Sequence, residues 1–311
     1  MKKIIYIGGT SYSGSTFFDM ILANDQHGFS CGEVYKLFKP YDPSHVDPEC
    51  GCGEKSCSIW NKALENGEKQ LYHTIFNMFP EIYFITDSSK NPFWIDSQIK
   101  LLRENGIEFK NILIWKTPLE AALSFNKRNR LKNWEATWIN YHRLYFTLVT
   151  GWKTVRYHDL TKDKNVLKKV CEYLQIPYFE GKEKFWEKTN HTLFGNTSAR
   201  IHLFSKDSKN FDRAKKILTH SSQKEESRIK QNYHNIYYDK VDDAHLEKIV
   251  NKRMSKEKFF TDILEILNKN DISREGNDFE DIEKLKITWI PTQLRKMKRF
   301  WNYKKLGFVK G

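Results

Sequence analysis

Several kinds of residue and segment are scarce in this chain of 311 residues, and each scarcity removes a class of protein. No apolar run approaches the roughly 18 residues that a helix needs to cross a bilayer. The run after Lys2-Lys3 is four residues long and leads straight into a glycine turn, so no signal peptide is expected. Cysteine is sparse, five in all, and four of the five crowd between Cys31 and Cys57. The protein is expected to be soluble and cytoplasmic, and that compartment speaks against a disulfide framework. Repeats and low-complexity tracts are missing, which excludes solenoids and arrays. Acidic residues vanish near the end: Lys284 to Gly311 holds nine basic side chains and no acidic one. Taken from the formal net charge of +13, those nine leave +4 for the remainder. The basicity is mainly a property of the tail, and nucleic acid is not expected as a partner.

What is present begins with a phosphate loop. Lys3 to Ile7 is a short β-branched and aromatic run, as in a buried strand. Gly8 and Gly9 break it, and Ser15-Thr16 open a helical pattern with Phe17, Phe18, Ile21 and Leu22. A strand, a Gly/Ser turn and a helix point free backbone N–H groups at an anion. Gly9 and Gly14 have the spacing of G-x-x-x-x-G-K-[ST], but Ser15 stands where the nucleotide-triphosphatase lysine belongs. Without that lysine, β- and γ-phosphate handling is poorly supported. An ATPase or GTPase is therefore not expected.

The rest of the core repeats the alternation. His27 to Glu33 is short and turn-rich, with Glu33 near the loop mouth if the chain returns across the sheet edge. Cys50, Cys52 and Cys57 form C-x-C-x₄-C, three thiolates with His45 as a candidate fourth zinc ligand. The spacing is not a standard zinc signature, so an ordered thiol-bearing loop is preferred and no metal is expected. Residues 58–79 read as one helix, Ile82 to Thr86 as a strand, and Asp87 to Pro92 as a turn whose one cation is Lys90. A helix over 94–104 precedes the strand Asn111 to Lys116, and Lys116 to Ser124 opens the next helix with Pro118 in its first turn. Lys116 and Ser124, two turns apart, could hold a second anion. The aromatic-rich stretch Trp134 to Val149 reads as a core helix, followed by the strand Lys153 to Tyr157 and a helix near 163–174. Four strand–helix alternations with short links imply an α/β fold, a P-loop-like parallel sheet flanked by helices. Beyond 176 the pattern loosens into an ordered loop, a polar Lys-rich stretch and an amphipathic helix over 245–268, a helical C-terminal extension.

With these residues in place, the chain resembles sulfotransferases that use 3′-phosphoadenosine-5′-phosphosulfate (PAPS), chiefly bacterial sulfotransferase-family proteins and, more distantly, tyrosylprotein sulfotransferases. The resemblance covers about residues 3–205 and rests on motifs in the correct order. Gly9 to Thr16 is similar to the 5′-phosphosulfate loop, and Cys31-Gly32-Glu33 to the C-G-E segment beside the tyrosylprotein enzymes' catalytic glutamate. Aligned on C-G-E, that glutamate falls at Val34, and only a one-residue shift makes Glu33 its counterpart. Asp87 to Pro92 resembles the lysine turn, Lys116 and Ser124 the 3′-phosphate motif, and Arg156 to Leu160 the R-Y-E-D-L segment whose tyrosine lies by the adenine. Cys50 to Gly53 and His191 to Arg200 match further segments of the bacterial members. The resemblance implies that Thr10, Ser11, Tyr12, Ser13, Gly14, Ser15 and Thr16 hold the phosphosulfate. It further implies that Lys116 and Ser124, with Arg200 as helper, fix the 3′-phosphate, that Tyr157 meets the adenine, and that Glu33 and Lys90 are catalytic. The family loop carries arginine or lysine where this chain has Tyr12, with Lys90, Lys36 or Arg128 to replace that charge. Lys116 stands in place of the family's arginine.

These readings divide the chain into a PAPS-binding core (1–205), a helical extension (206–269), and a linker with a basic amphipathic tail (270–311). The expected reaction is metal-independent transfer of a sulfuryl group to an acceptor hydroxyl on a glycan, lipid, peptide or small metabolite. The alternatives are a nucleotide or small-molecule kinase, or a non-catalytic anion-binding or membrane-associated protein. In the tail, Ile290, Leu294, Met297 and Trp301 share one helical face among basic residues, as in a helix on an anionic membrane. The expected place is the cytoplasm, peripheral at the inner membrane face if that tail binds lipid.

Overall fold

A computed structural model describes residues 2–46, 48–54, 56–204, 206–207, 209–219 and 242–274. Five strands build its sheet: β1 (Lys3–Gly8), β2 (Gly28–Ser30), β3 (Phe84–Asp87), β4 (Glu108–Trp115) and β5 (Trp152–Arg156). Their spatial order is β2-β3-β1-β4-β5, and every pairing is parallel. The α/β parallel architecture expected from the alternation is therefore present.

Both faces of the sheet are covered, which is why Ile4 to Ile7 of β1 and Ile112 to Trp115 of β4 are apolar at every position rather than alternating. Along β1, Ile4 and Tyr6 enter one core cluster while Ile5 and Ile7 enter the other, the two-residue period of a strand. The first cluster takes in Trp60, Ile75, Trp94, Trp138 and Tyr145. The second takes in Phe18 and Ile21 of the helix Ser15–Leu22 with Val166, Val170 and Leu174 of the helix Lys164–Leu174.

Three local expectations are corrected. The sequence reading has four strands, but His27 to Glu33 contains a fifth: β2 pairs with β3 through Gly28, Phe29 and Ser30. Three residues are too short to show a hydrophobic period. The helix expected over 58–79 is two, Ser58–Asn66 and Leu71–Met78, because Gly67 (φ 81°) ends the first in the left-handed region. The helix expected over 245–268 is likewise two, Asp243–Lys256 and Lys258–Lys269, parted at Glu257.

This C-terminal extension docks on the core. Leu246, Val250, Phe260, Ile263 and Leu267 join the first cluster, and the Phe260 ring stacks on Trp134. Residues 270–272, placed in the linker by the sequence reading, run along the outer edge of β5. Thr154 N–H donates to the Asn270 carbonyl (2.9 Å) and Ile272 N–H to the Thr154 carbonyl (3.0 Å), covering backbone that an edge strand would otherwise expose. Among the described residues no helix is long and apolar enough to cross a membrane. The tail over 284–311 lies outside the described residues.

Candidate active site

Strands β1, β3 and β4 are neighbours, so their carboxyl ends open side by side. Chain order turns about β1, with β3 on one side and β4 on the other. In open α/β sheets, that is where a crevice forms outside the strand ends.

The loop after β1 fills the middle of this edge. Ser11 is exposed at its tip, while Thr10, Ser13, Ser15 and Thr16 are buried. The Thr10 carbonyl accepts from Ser13 N–H (3.2 Å), and Gly14 caps the following helix at φ 101°. Only glycine fits there, since a Cβ would meet the Tyr157 ring at 2.2 Å. Tyr157 thus lies directly against the loop. The Thr16 hydroxyl accepts from Asn196 N–H (3.0 Å), which ties the loop helix to the distant segment 190–200. The Ser13 hydroxyl is buried with no partner among the described residues.

Lys116 stands at the end of β4, beside this loop. Its position is set locally: Thr117 and Glu120 form a reciprocal capping box, with Pro118 in the first turn. The Lys116 ammonium donates to the Tyr12 carbonyl (2.8 Å) and the Ser124 hydroxyl (3.0 Å), and sits 4.4 Å from the centre of the Tyr157 ring. No carboxylate lies within ion-pair distance of it among the described residues. Burial, helped by the nearby Arg128 charge, pushes its pKa down to about 8. Arg128 itself donates to the Ser124 carbonyl (2.8 Å) and covers the Tyr12 ring at 4.3 Å. A guanidinium therefore stands over the one aromatic side chain of the loop.

Lys90 ends the turn after β3, on the other side of the loop. Its carboxylate partner comes from the Cys31–Glu33 segment, which extends the β2–β3 pairing: Cys31 N–H donates to the Thr86 carbonyl and Ser88 N–H to the Gly32 carbonyl, both at 2.9 Å. Gly32 (φ 64°) turns the chain there, and a Cβ would strike the Leu193 carbonyl oxygen at 2.1 Å. That turn delivers Glu33 to Lys90 rather than to solvent. The Lys90 ammonium donates to Glu33 Oε1, and Lys36 pairs with Oε2 at 2.6 Å. Burial opposes ionisation of Glu33, but Lys90 and Lys36 together outweigh it and hold the carboxyl down at about 2. Val34, the alternative register for the base, is fully buried in the core.

Tyr141 belongs to the candidate site although sequence reasoning read it only as part of a core helix. Its hydroxyl accepts from Gly9 N–H (2.8 Å) and donates to the Lys90 carbonyl (2.7 Å), linking the loop to the lysine turn. Tyr12 (φ 66°) and Lys90 (φ 62°) are both left-handed, a conformation that costs a non-glycine residue free energy. Each has its carbonyl pinned by a side chain, Tyr12 by Lys116 and Lys90 by Tyr141. Arg200 is buried apart from Lys116 in its contacts, donating to the carbonyls of Phe194 (3.1 Å) and Glu49 (3.3 Å). The site thus brings together the loop, Glu33, Lys90, Lys116, Ser124 and Tyr157.

Two solved structures are similar in chain path. One is the "Sulfotransferase Domain from the Curacin Biosynthetic Pathway", 16% identical over 83% of this chain and 99% of that one, with a TM-score of 0.46. The other is the "Sulfotransferase Domain from the Synechococcus PCC 7002 Olefin Synthase", 16% identical over 81% of this chain and 94% of that one, at 0.47. No protein-family model matches the sequence, and no curated protein does.

Proposed function

We propose that this protein is a sulfotransferase that moves a sulfuryl group from PAPS to an acceptor hydroxyl. The observation that carries the reading is Lys116: a desolvated ammonium with no carboxylate in ion-pair distance among the described residues, held beside a lysine-free phosphate loop. Such a charge is costly unless an anion meets it. Its position, with Ser124 and Tyr157 around it, suits a phosphate next to an adenosine, a second anion that a nucleoside triphosphatase does not have.

PAPS would supply an activated sulfuryl group whose departure leaves charge on a phosphate oxygen. The loop amides from Ser11 to Thr16, with the Ser15 and Thr16 hydroxyls, would hold the 5′-phosphosulfate. Lys90 would stabilise the charge that develops on the leaving oxygen, an interaction that strengthens in the transition state. Glu33 would take the acceptor proton. At about 2 its carboxyl is a weak base while both lysines face it, so drawing Lys90 toward the donor raises its basicity just when the acceptor must lose its proton. This chemistry resembles phosphoryl transfer, in which positioning and electrostatics do most of the catalysis. An intracellular donor would require the enzyme to act in the cytoplasm, and the tail over 284–311 would bring it to an anionic membrane surface.

Thermal shift with adenosine 3′,5′-bisphosphate and with ADP at equal concentration tests the donor assignment. The bisphosphate should stabilise the fold far more, by mass action. Equal shifts would overturn it. Incubation with labelled PAPS and a cell lysate then identifies the acceptor by what becomes labelled.

A further inference from the structure

We propose that Cys50, Cys52, Cys57 and His191 bind one zinc ion, which fastens the segment 190–194 beside the candidate active site. The proposal departs from the expectation of no metal, and it does not depend on the sulfotransferase reading.

The three Sγ atoms and an imidazole nitrogen lie within 4.8 Å of one another. Cys50 Sγ is 3.7 Å and Cys57 Sγ 3.6 Å from His191 Nδ1. A tetrahedral ion with Zn–S of about 2.3 Å and Zn–N of about 2.0 Å separates S from N by roughly 3.5 Å. The observed spacing already approximates the edges of such a tetrahedron. Three thiols around one imidazole would leave an odd sulfur in any disulfide pairing, whereas Cys₃His uses all four. Thiolate and imidazole donors also favour zinc over magnesium or calcium.

Local structure builds the centre from three pieces. Cys50 and Cys52 sit on a tight turn, where Gly53 N–H donates to the Cys50 carbonyl (2.9 Å) and Cys50 N–H to the Glu54 carbonyl (3.0 Å). Cys57 caps the helix Ser58–Asn66, whose amino end favours a thiolate. That same helix holds His191, because Trp60 Nε1 donates to the His191 carbonyl (2.8 Å), while the imidazole stacks parallel to Phe29. His45, the fourth ligand considered from the sequence, is elsewhere, its ring against Tyr41 and Phe194.

The location gives the ion a task. Leu193 bridges to Cys50 on one side and to Gly32 on the other. Its carbonyl accepts from Glu33 N–H (2.9 Å), and its own N–H donates to the Cys31 carbonyl (3.2 Å). A cation joining Cys50 to His191 would therefore clamp the segment that positions the Glu33 backbone.

The full-length chain, without a polyhistidine tag, should be purified from zinc-supplemented cells, dialysed against metal-free buffer and assayed for metal. About one zinc per chain is expected, released when a mercurial titrates the thiols, with a lower melting temperature after stripping. Replacement by cobalt(II) should give the visible bands of a tetrahedral thiolate site. His191→Ala should lose the metal, His191→Cys should restore it, and His45→Ala should keep it. Should His191→Ala fail to fold, the wild-type cobalt spectrum together with His45→Ala decides. Zinc below about a tenth of an equivalent with no tetrahedral cobalt spectrum overturns the proposal. So does full zinc content in His191→Ala, or loss of zinc in His45→Ala.

Discussion

The turns after β3 and β4 are written alike and finished differently. Each runs from strand to lysine to N-cap to proline: Lys90-Asn91-Pro92 in one, Lys116-Thr117-Pro118 in the other. Both therefore set an ammonium just ahead of a helix amino end, on either side of the phosphate loop. Their surroundings then part. Lys90 is neutralised by Glu33, which Lys36 also meets, whereas among the described residues Lys116 touches a carbonyl, a hydroxyl and an aromatic face and no carboxylate in ion-pair distance. A compensated charge can be released to meet charge that appears during a reaction. An uncompensated, desolvated one is set to receive an anion whose charge stays fixed. Identical local grammar thus yields a catalytic candidate on one side and a binding candidate on the other, and the partner decides which.

The largest expected effect tests the first half of that contrast. Lys90→Ala should lose roughly a hundredfold to a thousandfold in turnover, about 2.7–4 kcal/mol, with near-normal affinity for adenosine 3′,5′-bisphosphate. Normal turnover would remove Lys90 from the mechanism. Lys116→Ala should do the reverse, weakening bisphosphate binding roughly tenfold to a hundredfold while keeping more of its turnover at saturation. If calorimetry and steady-state kinetics find the two variants alike, the contrast fails.

A pH titration sharpens it. Only the protonated Lys116 attracts phosphate, and its pKa of about 8 lies below that of an ordinary lysine. Bisphosphate affinity should accordingly fall as pH rises through about 8, approaching tenfold per unit. Lys116→Arg, always charged, should flatten the profile; a flat profile in the parent protein would contradict the depressed pKa. The smallest effect belongs to the strap between the two halves. Tyr141→Phe removes the bridge from Gly9 N–H to the Lys90 carbonyl and should lower turnover about two- to tenfold, the worth of a typical hydrogen bond. Retention of full turnover would reduce Tyr141 to packing.

Much of this was legible because it is local. A strand, a glycine turn and a serine-opened helix are specified by residues a few positions apart, so the phosphate loop could be read from Lys3 to Leu22 without any fold. The same holds for Pro118, which opens the helix after Lys116, and for the strand runs that require cover on both faces. Sequence alone determined the parallel sheet, the loop and the two lysines at its rim. Tertiary structure alone decided their partners. Glu33 reaches Lys90 only because three residues of β2 pair with β3, a strand too short to announce itself. Tyr141 reaches Gly9 and Lys90 from a helix 132 and 51 residues away along the chain. His191, not His45, joins the cysteines, although His45 is five residues from Cys50 and His191 is 141. Spacing along a chain governs contacts within a turn or a helix. Contacts across a parallel sheet depend on which strand ends the fold sets side by side.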